Sequence, residues 1–355
     1  MNARVALALV VLLVALGGGA LLYNHQERTQ KADNTAALGR PLFSVKVADV
    51  AAIRITEPDA TLTLKRQGEG WVIAERRDFP ADITRVREFG LQLIDLKAGQ
   101  TEPIGEKDRA RLNLDSSGTQ VEVSAADGKP LGKLVVGKKY FKREVENPDK
   151  ALADGRFVAL PAQAGTVYIV SEPLAQATAR TAQWIDRTSF QVEKVKTLEV
   201  KYPSGEGWRI ERQKDDADWK LAGAKPGEKL DAGRANAASY SLSLLELADV
   251  APDDAKETGL DKPTLVSATT LDGLAYDIKV GKLQGDNYYV RFSSSGSIPA
   301  DAKGPDEERL KKLRERQPRE KLLSDYVLLI PKSKLEDTLK PRAELLEKKP
   351  EAKKK

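Results

Sequence analysis

Apolar and polar side chains alternate through "VAAIRI", "ATLTLKR" and "GWVIAE", between Val50 and Glu75. A period of two marks strands with one buried face. From Ile83 the period lengthens: Ile83, Val86, Phe89, Leu93 and Ile94 fall on one helical stripe, with Pro80 ahead of it and Asp82 placed to cap it. A linker and a short helical turn lead to "LNLD". The strands "TQVEVSA" and "KLVVG" follow, joined across Asp127-Gly128, a turn signal. "RFVALP" and "TVYIVS" complete the series.

The same order returns downstream. "VKTLEVKYP", "GWRIERQ" and "DWKLAG" answer the first three strands, and Asp231 answers Asp82 ahead of a stripe of Ala235, Ala238, Leu242 and Leu245. "GLDKP" answers "LNLD", "TLVSATT" and "AYDIKVG" flank Asp272-Gly273, and "NYYVRF" and "DYVLLIP" close the pass. The pattern predicts an α+β protein: a tandem repeat of two similar domains, residues 42–190 and 191–340, with mainly antiparallel sheets and packed helices. Trp71 and Trp219 are expected as apolar anchors of the two cores, and Asp82 and Asp231 as helix caps.

The second pass carries an insert, residues 296–323. Its "DEERLKKLRERQPREKLL" is charged nearly all round, with acids first and bases after, which suits a helix dipole. It is expected as a solvent-exposed helix, ended or kinked at Pro318; the alternative is a docking arm for a partner.

The N-terminus sets the expected compartment. Val5–Leu22 is an uncharged run of 18 residues, long enough to cross a bilayer as a helix. The expected reading of residues 1–28 is one transmembrane anchor, with Tyr23 and His25 at the interface; the rival is a signal peptide cleaved near Gly17–Ala20. Residues 29–41 read as a linker. Either reading sends the body across the membrane, to its extracytoplasmic side.

Charge and chemistry narrow the function. The formal net charge of +5 sits at the ends: residues 1–40 hold four Lys/Arg and two Asp/Glu, and residues 341–355 hold six and three. A near-neutral body argues against nucleic acid, and 341–355 reads as a basic disordered tail. There is no Cys, and His25 is the one His, so thiolate sites, disulfides and a His-based triad have no candidates in the body. No P-loop, nucleophile elbow or metal-binding spacing occurs. No catalytic residue, cofactor or metal ligand is nominated, and no enzyme activity is expected. The candidate partner-binding residues are the aromatic pairs Tyr140-Phe141 and Tyr288-Tyr289, each just after a Val-Gly-Lys strand, and the insert cations Arg309, Lys312 and Arg316.

"GEGWVI", "FPAD", "LNLD", "VGKKY", "VYIV", "GLDKP", "VGKLQGDNYYV" and "YVLLIP", in that order behind one apolar N-terminal segment, resemble the domain of unknown function 4340 family over nearly the whole chain. The resemblance implies a context of auxiliary proteins of bacterial ABC-2-type, gliding-motility-like transporters, hence a body on the periplasmic side of a bacterial inner membrane, and carries no catalytic residues. The expected function is therefore an accessory or scaffold subunit of an ABC-type transporter or envelope-assembly complex, acting by binding to permease, ATPase or other envelope proteins. The alternatives are a periplasmic glycan- or lipid-binding module and a carboxylate-dependent hydrolase.

Overall fold

The computed structural model describes residues 38–43, 45–163, 165–298 and 307–347. It is a mixed α/β protein with two antiparallel sheets and few helices. The chain divides into two compact units, one of Met1–Ala74 with Asp78–Trp184, the other of Glu75–Arg77 with Ile185–Lys355.

In the first unit the strands are β1 (Ala52–Glu57), β2 (Ala60–Gln67), β3 (Gly70–Ile73), β4 (Phe79–Pro80), β5 (Gln100–Pro103), β6 (Thr119–Ser124), β7 (Pro130–Tyr140), β8 (Gly155–Ala159) and β9 (Thr166–Val170). They form one sheet in the order β4-β3-β2-β1-β6-β7-β8-β9-β5. Helices α1 (Ile83–Ile94) and α2 (Glu106–Arg111) lie between β4 and β6 in the chain. The alternation works as a one-faced sheet requires: Ile53 and Ile55 are buried while Arg54 between them is exposed. Val86, Phe89 and Leu93 supply the buried stripe of α1.

In the second unit β10 (Val195–Lys201), β11 (Gly207–Glu211), β12 (Lys220–Leu221), β13 (Asp249–Val250), β14 (Thr264–Thr270), β15 (Leu274–Gln284), β16 (Asn287–Gly296) and β17 (Leu328–Pro331) form a sheet ordered β12-β11-β10-β14-β15-β16-β17-β13. Helix α3 (Ala232–Tyr240) follows β12, α4 (Glu307–Leu323) follows β16 and α5 (Lys332–Leu335) follows β17. If β4 is set aside, the two strand orders are the same: a three-strand meander, a four-strand meander beside its first strand, and an edge strand reached through the helix.

The structure departs from the sequence pattern in four places. The "QTEP" linker is strand β5, which pairs with β9 from Gln100↔Ile169 to Pro103↔Thr166; a polar edge strand leaves no period-two signal. The insert helix is not solvent-exposed all round. Leu310, Leu313, Glu320 and Leu323 form a buried stripe at helical spacing, and the helix runs on through Pro318. Trp71 is only half-buried, because it stands two pairs beyond Ile73, opposite exposed Arg66 at the rim of the core face. The fully buried indole against α1 is instead Trp184, 5.3 Å from the Phe89 ring, with Nε1 donating to Thr178 O at 2.9 Å. Finally, Arg342–Leu345, assigned by charge to the tail, forms a 3-10 turn with Leu345 buried.

Among the described residues no helix is long and apolar enough to cross a membrane. The anchor expected at 1–28 and the part of the expected tail beyond 347 lie outside the described residues.

Candidate functional site

Each unit is closed by the same clasp. In the first, Asp82 caps α1, its Oδ1 accepting from Thr84 N at 2.9 Å and Arg85 N at 3.3 Å. Its own N–H donates to Trp184 O at 2.6 Å, and Arg85 pairs with the Asp82 carboxylate at 3.3 Å while donating to Gln183 O at 2.8 Å. In the second, Asp231 Oδ1 accepts from Arg234 N at 3.1 Å and Asp231 N donates to Leu345 O at 2.9 Å. Arg234 pairs with Asp231 at 3.4 Å and donates to Glu344 O. Trp219 is buried behind this helix, its Nε1 donating to Asn236 Oδ1 at 2.8 Å, with the Arg212 guanidinium 4.6 Å over its ring.

The Val-Gly-Lys strands match as well. Lys138 N donates to Leu112 O at 2.9 Å, and Lys282 N to Thr258 O at 2.8 Å. A Cβ on Gly137 would run into Leu112 O, and one on Gly281 into Thr258 O, so glycine lets each strand meet its loop. The next residue of each loop takes a left-handed conformation, Asn113 at φ 55° and Gly259 at φ 72°.

The nominated aromatics do not form one surface. Tyr140 and Phe141 are half-buried, Tyr140 edge-on to Phe157 at 5.5 Å. Tyr288 is half-buried, whereas Tyr289 is buried against Ala251 and Leu329.

Of the insert cations, two are turned inward. Arg309 makes a bidentate pair with Asp272 at 2.7 and 2.5 Å. Arg316 donates to Gln191 Oε1 at 2.8 Å and to Gln191 O at 3.0 Å, and its Nε lies 2.9 Å from Glu320 Oε1. Glu320 is 2% exposed and accepts from Tyr276 Oη at 3.0 Å. Burial pushes the Glu320 carboxyl above its ordinary value against the opposing pull of Arg316, and burial together with Glu320 pushes the Tyr276 phenol up. Lys312 is exposed and pairs with Glu308 at 3.1 Å.

Two hollows stand out by their chemistry. On the second unit, an open one of about 710 Å³ is lined by residues including Arg212, Asn236, Tyr240 and Leu244. Its Arg212 is matched by Val195 O at 2.8 Å and Asp215 at 2.6 Å. On the first unit, a polar cleft of about 490 Å³ runs along the end of the sheet, past Glu57, Thr119, Lys139, Arg156, Thr178 and Arg180. Glu57 Oε2 accepts from Thr178 Oγ1 at 3.3 Å and Ala179 N at 3.0 Å. Arg156 is half-buried and its Nε is enclosed with no hydrogen-bond partner. The sequence pattern did not single out Arg156, because the apolar run Phe157-Val158-Ala159 hides which face of so short a strand is inside.

No group of three or more His, Cys, Asp or Glu among the described residues is arranged to hold a metal ion. No curated protein and no solved structure matches the chain. One family does, through the model described as domain of unknown function (DUF4340), over residues 71–263. That span takes in Trp71, both Asp caps, both loop motifs and the first Val-Gly-Lys strand, and exceeds half the chain. The chain belongs to the DUF4340 family.

Proposed function

We propose that this chain is a binding body made of two copies of one α+β unit, anchored by its N-terminal segment on the extracytoplasmic side of a bacterial inner membrane. There it serves as an accessory or scaffold subunit of an ABC-type transporter or envelope-assembly complex. The observation that carries the reading is the repeated clasp: a capping Asp bonded through its own N–H to the closing segment, with an Arg three residues on gripping both. The shared strand order supports the same duplication. Val5–Leu22 is the apolar run that supports the anchor. An anchored body is confined to the membrane plane, which raises its effective concentration near a membrane partner.

Location is testable because the chain has no cysteine. Leu152 is 97% exposed, so Leu152→Cys gives one reactive thiol in the first unit. A membrane-impermeant maleimide should label it in cells whose outer membrane has been permeabilised while the inner membrane stays intact. Labelling only after the inner membrane is broken would sink the extracytoplasmic placement.

A further inference from the structure

An antiparallel sheet with one buried face should be apolar at every second position on that face. The first sheet keeps the rule along its middle, where Ile55, Val121, Val136 and Val158 are buried. Two residues further on along the same face, β1 ends in Glu57, β6 begins with Thr119 and β8 carries Arg156. Register confirms the shared face: Ile55 pairs with Val121, Thr119 with Val136, and Val136 with Val158. Three polar groups thus occupy core-facing positions, and they line the cleft.

The charges there are not balanced. Lys139 stands directly across from Arg156 in the β7–β8 register, a like-charge pair that disfavours folding. Lys139 Nζ donates to the carbonyls of Pro148, Asp149 and Ala151 at 2.8–3.0 Å, which holds the ammonium without neutralising it. Burial alone draws the Arg156 guanidinium below its ordinary pKa, with no carboxylate opposing it. Arg180 adds a third cation, against the one carboxylate of Glu57.

The fold does not require this. At the corresponding places of the second sheet stand Tyr202, Thr264, Leu283 and Tyr288. Val200 pairs with Val266, and Leu283 pairs with Tyr288. Tyr202 Oη reaches the closing segment there, at Leu339 O and Lys340 O, as Glu57 does at Thr178 and Ala179. The second unit keeps a threonine at the place of Thr119 and closes the rest of this end with phenols and an aliphatic side chain; the first closes it with unneutralised charge. Residues that break a local rule without stabilising the fold mark function.

We propose that the cleft of the first unit binds an anionic group, a carboxylate or a phosphate, carried on a small hydroxyl-rich molecule of the sugar-acid or sugar-phosphate class, with Arg156 as its principal contact. A guanidinium matches either anion with two parallel hydrogen bonds. The hydroxyl of Thr119 supplies a neutral partner for the rest of the ligand. The site lies wholly in the first unit and stands whether or not the membrane reading holds.

The test is calorimetric titration of the full-length protein in a non-ionic detergent with glucuronate, glucose 6-phosphate and glucose, alongside thermal unfolding of wild type and Arg156→Gln. The expected result is binding of at least one charged probe and none of glucose, with affinity reduced by roughly tenfold or more in Arg156→Gln. Without a probe, Arg156→Gln should unfold at the wild-type temperature or above, because it removes a desolvated charge. The probe should then raise the wild-type midpoint alone. No binding by either charged probe, equal binding of glucose, undiminished binding to Arg156→Gln, or a lowered probe-free midpoint in that variant would overturn the assignment.

Discussion

Tyr276 and Glu320 meet in the interior of the second unit, the phenol donating to Oε2 at 3.0 Å from near the start of β15 to the last turns of α4. That bond ties a strongly charged helix to the sheet, and Arg316, one turn earlier on the same helix, holds the other carboxylate oxygen at 2.9 Å. Glu320→Ala leaves the phenol without its acceptor and takes from the guanidinium its nearest carboxylate, where water is scarce. The expected loss is about 3–5 kcal/mol, read by urea unfolding and by faster hydrogen exchange across 264–296. Glu320→Gln keeps an acceptor for Tyr276 and should lose clearly less. Equal loss in the two variants would mean that the polar contact is incidental.

The same residue sets a pH dependence. Burial raises the folded-state pKa of Glu320 above its ordinary value. The folded protein therefore binds that proton more tightly than the unfolded chain does. Its contribution to stability is fully present below the ordinary carboxylate pKa and declines as pH rises through the raised folded value. Urea midpoints of wild type minus Glu320→Gln, followed from acid toward neutral pH, should fall over that interval. Parallel curves would contradict the assignment.

The two caps should cost alike. Asp82→Ala and Asp231→Ala each remove a carboxylate that accepts from helix N–H groups, for about 1 kcal/mol each. Their pairs with Arg85 and Arg234 are partly exposed and add little. Asn at either position should recover most of the loss. A cost several times larger at one site, measured by thermal unfolding, would separate the two helix starts in kind.

Glycine tests the loop docking. Gly137→Ala and Gly281→Ala push a methyl group into the backbone carbonyls of Leu112 and Thr258, which should destabilise by about 1–3 kcal/mol as an overpacked site does. Gly128, at φ 82° with nothing near its missing Cβ, should lose about 1–2 kcal/mol on change to Ala, from backbone conformation alone. A neutral Gly281→Ala would remove the second of the matched loop contacts.

The tail separates two roles. Ending the chain after Glu347 should leave unfolding unchanged. Ending it after Lys340 removes buried Leu345 and the Arg342–Glu228 pair at 2.6 Å, and should cost several kcal/mol from the aliphatic side chain and its cavity. Equal stability of both truncations would show that the 3-10 turn contributes nothing.

Long period-two strands and the α1 stripe were legible in the sequence because burial on one face writes them there. So were the Asp caps, since a short acceptor ahead of an apolar stripe has one local role. β5 and β13 were not: a two- to four-residue edge strand is paired through its backbone, and side chains such as those of Gln100 and Glu102 leave no trace of it. The buried stripe of α4 was masked by its charges, since Arg309, Arg316 and Arg319 look solvated until Asp272, Gln191 and Asp186 are seen to receive them. Arg156 escaped notice for a related reason. A cation on a strand is ordinary, and only its place two residues before buried Val158, whose partner is buried Val136, shows that this one faces the core side.

Whether the protein is a membrane-anchored binding subunit is read most directly by affinity capture of the tagged full-length chain from gently solubilised native membranes, followed by mass spectrometry. Transporter permease and ATPase subunits should come down together, and both should be lost when residues 1–28 are deleted. A protein recovered alone, or found soluble and cleaved near Ala20, would contradict that reading.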